Sequence, residues 1–555
     1  MFEQPLTGRS KGLSLPPSGW ALALLLAVYI FTGLTGHDPW KNDDAITIGI
    51  VHQMLGSGNW LQFNLAGRVY PDAPLYYWLA AGLSRLFHWL LPVHDAVRLA
   101  SGVFTLLALT FILLAARELH GREQAPAAPL LLAGSIGFLF HAHEAQPMLA
   151  ALTAHCGAYW ALAKLDRDPR SGAVCFGAAL GLGYLANGLA PMVLLLPVAA
   201  VAVWQSSDRA HASRHLLGSL LIAGLLGGLW SITLALSSRE YLSAYWQSEL
   251  NQLTAYPQPL LSLQRLLSML PWYAWPALPL AGWTLWARRR QLAGPALRLP
   301  ILSILIALLV VGLWLGSRSA LALLLLPPLV LLAVPAIASL RRGAANAFDW
   351  FGMITFSVFA LLGWLGWTAM IFGWPEHLTR QLLRLEPGFS TEFNWPATVA
   401  ALSGTLAWVW LIATSPRSPM RGIMHWMSGL TLFWLLMATL WMPWWNYGKT
   451  YRAPALALSE VLPKSRDCIA EIDLSEAMLA SLDYFSAIQT VPLRSNSGKN
   501  CDWLLTYGPA REHELVATVN WRKVWEGGRP VDRKDGEKLR LYRRAIKNAR
   551  NPANK

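Results

Sequence analysis

The chain has 555 residues, of which 54% are hydrophobic and only 14% charged, and its mean hydropathy is +0.37. Such a composition excludes an ordinary soluble protein and describes a polytopic membrane protein. The formal net charge of +14 does not point to nucleic acid, because the basic residues stand in short clusters between apolar segments, and the 29 Trp suit the boundary between hydrocarbon and headgroups.

In chain order, the first apolar window, 19–36, follows Arg9 and Lys11, lacks a convincing small-residue cleavage site, and reads as an anchored span. Further windows up to 424–443 bring the expectation to about thirteen spans. Segment 74–91 decides the topology. If it does not cross, the loops on one side hold 17 Lys and Arg and those on the other hold 9, and the basic side is the cytoplasm. We therefore read 74–91 as an interfacial or re-entrant helix. The stretch 38–78, the turn His141–Pro147, Asn187 and the segment 237–268 then all face the exported side. The expected fold is an all-α membrane domain over residues 1–443, with its first exported loop at 37–96. A small exported α/β domain is expected over 444–545 and a disordered tail over 546–555. CIAEID, SEAMLASLDYFSAI and TVPL form the strand-helix-strand start of that small domain. If exported, Cys468 and Cys501 could pair there, whereas Cys156 and Cys175 lie in apolar spans.

The chemistry gathers between Asp38 and Trp78, where Asp43, Asp44 and Asp72 share one exported loop. An Asp ahead of AITIGIVHQML suits a helix cap. A cap needs one carboxylate, however, and two beside a bilayer repel each other, so one of the pair is a candidate base for an acceptor hydroxyl. The turn His141-Ala-His143-Glu144-Ala-Gln146 sets a carboxylate between two apolar spans, a placement that marks functional residues. Segment 237–268 offers Tyr241, Tyr245, Trp246, Glu249 and Tyr256, which suits an amphipathic cover over a sugar site.

The run DDAITIGIVHQMLGSGNW, then NLAGRVY and DAPLYYW, resembles the first exported loop of the bacterial aminoarabinose transferases and the related protein O-mannosyltransferases. GLGYLANGLAPMVLLLP, LPWYAWPALPLAGW and SRSALALLLLPPLVLLA are similar to the same group. The resemblance implies a C-type membrane glycosyltransferase fold in the bacterial inner membrane. It also implies a sugar donor on polyprenyl phosphate and a lipid A, glycan-lipid or exported-protein acceptor. It places the base on Asp43, with Asp44 and Glu144 as further catalytic candidates, and Glu144 or Gln146 in the position of the family's second exported acid. Substrate contacts are expected from Asp72, Arg68, Tyr70, Tyr76, Tyr77, Gln146, Asn187, Glu249 and Arg318. The family's two phosphate-binding lysines are replaced here by Ala73 and Asn187, so Arg68, Arg318 and Lys41 become the candidate phosphate cations. No cofactor is certain. His143 with Asp72 or Glu144 could hold a divalent metal, although the family's metal-associated His is here Leu250, after Glu249. The alternatives are a transporter or lipid flippase, and a non-catalytic descendant of the family.

Overall fold

The computed structural model describes residues 19–206, 208–254, 258–316, 319–463, 468–509, 521–533 and 537–545. Arg318, Tyr256 and the tail 546–555 lie outside them.

The membrane half is a sequence of helices set by apolar runs and by the Gly and Pro that interrupt them. It opens with α1 (Gly19–Phe31), α2 (Asn42–Ser57), a small antiparallel ribbon of β1 (Asn64–Leu65) and β2 (Arg68–Val69), α3 (Leu75–Phe87) and α4 (Val93–His120). Two short pieces, α5 (Ala127–Ala133) and α6 (Ile136–Ala142), lead to α7 (Met148–Lys164), α8 (Pro169–Asn187), α9 (Ala190–Trp204) and α10 (Arg209–Ser237). After these come α11 (Arg239–Thr254), α12 (Pro259–Tyr273), α13 (Ala277–Ala287), α14 (Pro295–Leu309), α15 (Leu326–Ser339) and α16 (Arg342–Phe372). The half closes with α17 (Glu376–Leu385), α18 (Trp395–Thr414), α19 (Arg421–Leu436) and α20 (Met442–Lys449).

Among the described residues, seven helical stretches are long and apolar enough to cross a membrane. Fewer stretches than the thirteen windows reach this length because the helices in windows 19–36, 145–163 and 189–204 have only 13, 17 and 15 residues, and two other windows are broken inside. The window 126–141 splits at Gly134–Ser135 and 269–287 splits at Ala274–Pro276, where a proline denies the helix its hydrogen bond. Helix α3 has thirteen residues, short of the roughly twenty needed to cross a bilayer. Its Tyr76, Tyr77, Ala80, Ala81 and Ser84 are buried, while Leu86 and, just beyond the helix, Trp89 and Leu90 are exposed.

Helices α8 and α10 pack closely through small residues. A Cβ at Gly177 would come within 2.5 Å of the Ser219 carbonyl oxygen, so only glycine allows this approach. Helix α11 is held down differently: Glu249 is 9% exposed, and its Oε2 accepts the Leu189 N–H at 2.8 Å in the turn between α8 and α9. Gly188 sits in that turn with φ +57°, and a side chain there would collide with the Glu249 carboxylate.

Beyond α21 (Arg452–Val461) lies the small mixed sheet, β3 (Ile469–Ile472), β4 (Val491–Pro492), β5 (Trp503–Pro509), β6 (Trp521–Gly527) and β7 (Glu537–Arg544), in the order β4-β3-β5-β7-β6. Strand β3 is parallel to both β4 and β5, and β7 runs antiparallel to β5 and β6. Helix α22 (Glu476–Ser486) makes the β3–β4 crossover; Ser475 caps it by accepting the Met478 N–H at 3.3 Å. Cys468 and Cys501 form a disulfide across 33 residues, and Cys156 and Cys175 are free thiols.

Two outcomes follow from these contacts. Burial raises the Glu249 pKa from 4.5 to about 7, with nearby Asp72 adding to the rise and the Leu189 N–H opposing it. An acid whose pKa rises on folding stabilises the fold when protonated, and this gain fades as pH climbs through 7. Glu249→Gln keeps an acceptor for Leu189, so its melting temperature should exceed that of the parent at pH 8, and the gap should close by pH 5. Full expression of the shift corresponds to about 3 kcal/mol, checked by thermal unfolding across pH in one detergent. Paired Cys468→Ser and Cys501→Ser substitutions should cost about 3–4 kcal/mol in the small domain by loop entropy, read by protease sensitivity under non-reducing conditions.

Candidate functional site

Helix α2 begins at Asn42, and neither aspartate of its first turn caps it: Lys41 holds the cap position without a side-chain bond. Successive helical residues point about 100° apart, which sends the two carboxylates to different environments. Asp44 turns inward and is 1% exposed. Arg98 of α4, fully buried, grips it with two bonds, Nε to Oδ1 at 2.8 Å and Nη2 to Oδ2 at 2.7 Å, and the Ala145 N–H donates to Oδ1 at 2.8 Å. Burial alone would raise the Asp44 pKa, but the guanidinium outweighs it and holds the carboxyl below its ordinary range. Arg98 also reaches Asp95 at 3.2 Å and the His37 carbonyl at 2.8 Å. With both oxygens occupied, Asp44 is placed as a structural anchor, a correction to its candidacy as a reacting group.

Asp43 turns outward and is exposed. Gln146 Nε2 donates to its Oδ2 at 2.8 Å, and among the described residues the other oxygen has no partner. Glu144, two residues earlier, is buried and faces Lys41 Nζ at 3.2 Å and His141 Nδ1 at 3.0 Å. Gln146 thus touches Asp43, and Glu144 holds the lysine that precedes α2. His141, which lies 3.4 Å from Gln146 Nε2, joins both side chains. Sequence reasoning did not single out His141; its place three residues before Glu144 at a helix end was the signal available.

A second cluster lies beyond the first turn of α3. Tyr76 faces the first cluster, its hydroxyl 2.7 Å from Ser101 Oγ, while Ser101 also donates to the Glu144 carbonyl at 2.5 Å. Tyr77 faces the other way and donates to Asp72 Oδ2 at 2.6 Å; the Ala73 N–H donates to Oδ1 at 2.7 Å. Burial raises the Asp72 pKa against both bonds. Tyr241 of α11 donates to the Tyr70 carbonyl at 3.0 Å and accepts from the Phe63 N–H at 3.1 Å. Asp72, Tyr77, Tyr241, Tyr245 and Glu249 form a carboxyl and phenol group under α11. Asn187 ends α8 beside it and is half-buried.

Three expectations need revision. Tyr76 is fully buried with its hydroxyl bonded inside the protein, so it supports the site without facing a sugar. Arg68 points into the small domain, pairing with Glu471 Oε1 at 3.0 Å and donating to the Thr490 carbonyl at 3.1 Å, and so is unavailable as a phosphate cation. The His143 ring nitrogens face the carbonyls of Leu139 and Tyr29, turned away from Asp72 and Glu144. Among the described residues, no group of three or more His, Cys, Asp and Glu side chains converges on a metal position.

Beside the first cluster opens a cavity of about 750 Å³. Leu139, Phe140, Trp272, Phe356, Phe433 and Trp434 wall it, and its polar end carries His37, Lys41, Asp44 and Glu144. Burial and the Arg98 charge lower the His37 pKa to about 4, which keeps this ring neutral at physiological pH.

Residues 71–230 match the family described as dolichyl-phosphate-mannose-protein mannosyltransferase. The undecaprenyl phosphate-alpha-4-amino-4-deoxy-L-arabinose arabinosyl transferase of Edwardsiella ictaluri is 29% identical over 241 residues, 41% of this chain and 42% of that protein. Its Aeromonas salmonicida counterpart is 26% identical over 390 residues, 64% of this chain and 68% of that protein. The chain thus spans less than half the length of the Edwardsiella relative. Among solved structures, ArnT from Cupriavidus metallidurans bound to undecaprenyl phosphate matches with a TM-score of 0.66 at 16% identity, covering 94% of this chain and 98% of that one. The archaeal oligosaccharyltransferase AglB from Archaeoglobus fulgidus matches with a TM-score of 0.52 at 10% identity, covering 88% and 69%. The chain is therefore similar to the aminoarabinose transferases and, over residues 71–230, to the dolichyl-phosphate-mannose-protein mannosyltransferases, and it shares the fold of ArnT and AglB.

Proposed function

We propose that this protein is a glycosyltransferase that moves a sugar from a polyprenyl-phosphate carrier to a hydroxyl or phosphate of lipid A, another glycan lipid or an exported protein. The observation that carries this reading is the division of labour at α2. One carboxylate is neutralised by a buried arginine, while its neighbour is exposed, oriented by a single amide and free at one oxygen. A base needs that arrangement: an accessible oxygen held in direction by its other atom. Asp43 takes the proton of the acceptor hydroxyl, the hydroxyl oxygen attacks the anomeric carbon, and the bond from that carbon to the lipid phosphate oxygen breaks. A single displacement inverts the anomeric centre, and cations at the cavity mouth stabilise the phosphate as it leaves. Tyr77, Tyr241, Tyr245 and Glu249 are buried and brace this cluster from behind, which leaves the half-buried Asp72 and Asn187 as its polar groups for the sugar.

The relatives' names supply the donor class, and the apolar cavity gives a lipid tail a place beside the base. We place the protein in a bacterial inner membrane with its N-terminus cytoplasmic and the site periplasmic. The 17-to-9 distribution of basic residues favours this orientation, as does the Cys468–Cys501 disulfide, a bond suited to an oxidising compartment.

Mass spectrometry of lipid A and envelope glycans from parent, deletion and variant cells tests this reading. A sugar present in the parent should be missing from the deletion and should stay missing with Asp43→Asn, whose protein level and melting temperature remain those of the parent. Asp44→Asn should behave differently, lowering stability by about 3–5 kcal/mol because it leaves Arg98 charged and underpaired in the interior. Restoration of the sugar by Asp43→Asn would remove Asp43 as the base.

A further inference from the structure

The cavity beside Asp43 has an apolar body and a mouth with an unusual charge pattern. Trp40 forms part of that mouth, and two ammonium groups lie against its indole: Lys41 Nζ at 5.6 Å from the ring centroid and Lys449 Nζ at 4.5 Å. Lys449 also lies over Trp445, at 4.3 Å, and Trp445 lines the same cavity. Lys41 comes from the start of α2 and Lys449 from the end of α20, so two segments some 400 residues apart in sequence converge on one ring.

Of the two ammonium groups only Lys449 lacks an internal ion pair among the described residues, whereas Lys41 is paired with Glu144 and also donates to the Phe140 carbonyl at 2.9 Å. Among the described residues Lys449 makes no hydrogen bond or ion pair; Glu386 is the acid that faces it, while Lys41 and Arg529 add positive charge from the other sides. Arg529, of the small domain, lies over the Tyr451 ring at 4.1 Å, donates to the Lys449 carbonyl at 3.5 Å and is itself held by Asp532 at 2.8 Å. The Trp40 indole N–H is buried and without a partner among the described residues. Two like charges near one indole repel each other, Lys41 acting on Lys449, and the cation–π attraction offsets only part of that. An anion between them would remove the conflict, and a phosphate, with several acceptor oxygens, can bridge two ammonium groups.

We propose that Lys41 and Lys449 form a clamp for the phosphate of a lipid whose hydrocarbon enters the cavity walled by Trp272, Phe356, Phe433 and Trp434, and that Arg529 positions Lys449 from the small domain. The clamp deepens the glycosyltransferase reading and rests on it for the source of the lipid. The phosphate belongs either to the carrier that delivers the sugar or to a phosphorylated glycolipid acceptor. Both present a phosphate on a hydrophobic tail at the mouth, two residues from Asp43.

The test is binding, measured apart from turnover, with the full chain in detergent and native mass spectrometry as readout. The probes are undecaprenyl phosphate, diphosphorylated lipid A, and undecaprenol as the phosphate-free control. Lys449→Gln should weaken binding of at least one phosphate lipid about tenfold while leaving undecaprenol unchanged, Lys449→Arg should restore it, and Arg529→Gln should give a smaller loss in the same probe. Loss confined to undecaprenyl phosphate assigns the clamp to the donor; loss confined to lipid A assigns it to the acceptor. Equal binding of parent and Lys449→Gln to both phosphate lipids overturns the clamp, as does a loss shared by undecaprenol. If the clamp behaves as stated while the cells show no change in any glycan, the transfer reading fails and the phosphate site stands.

Discussion

The buried guanidinium of Arg98 is the contact on which the geometry of the site depends. It lies fully inside the protein at the start of α4 and gathers Asp44, Asp95 and the His37 carbonyl. Asp95 in turn accepts the Gly36 N–H at 3.0 Å from both oxygens. A charge that deep is costly unless its donors find acceptors, and here they come from the loop ahead of α2, from α2 itself and from the first turn of α4. The arrangement therefore fixes where α2 begins and how it is rotated. Because Asp44 must face Arg98, its neighbour must face outward, and the exposure of Asp43 is a consequence of the buried pair.

The same device recurs at each corner of the site. Tyr76 and Tyr77 are adjacent in one helix and point to opposite clusters, one bonded to Ser101 and the other to Asp72. Glu144 and Gln146, two apart in one turn, divide between Lys41 and Asp43. In each pair the two side chains are sent to different partners, and Asp43 alone of the six is exposed. Helical rotation of about 100° per residue accounts for the division in the two helical pairs.

This explains what the sequence could and could not disclose. Apolar windows, the strand-helix-strand start of the small domain and the acidic loop are local patterns, so composition and periodicity reveal them. The roles of Asp43 and Asp44 were separable only through a resemblance, since nothing in their spacing says which one meets Arg98. Arg68 looked like a phosphate cation because an Arg on an exported loop suits that task, and its true partner, Glu471, stands 403 residues away. Lys449 was missed for the same reason: its meaning lies in Trp40, on a segment that no local pattern joins to it. The broken spans were hidden because a hydropathy window averages over the proline or glycine that breaks the helix.

The small domain belongs in this account as part of the site wall. Arg452 Nε donates to Asp38 Oδ2 at 2.9 Å and Thr450 Oγ1 to the same atom at 2.8 Å, just ahead of Trp40 and Lys41. Further along the loop, Gln53 Nε2 donates to Asp483 Oδ2 at 2.6 Å, and Arg68 pairs with Glu471. Helix α22 packs directly on α2, with Ala480 against Gly49. The acidic loop is thus held on one side by Arg98 in the membrane half and on the other by a row of polar contacts to the small domain. Neither side alone fixes the direction of Asp43. A half-buried ion pair such as Asp38–Arg452 contributes modestly to stability, so its larger effect is on register, keeping the first turn of α2 over the cavity mouth where base and lipid phosphate can meet.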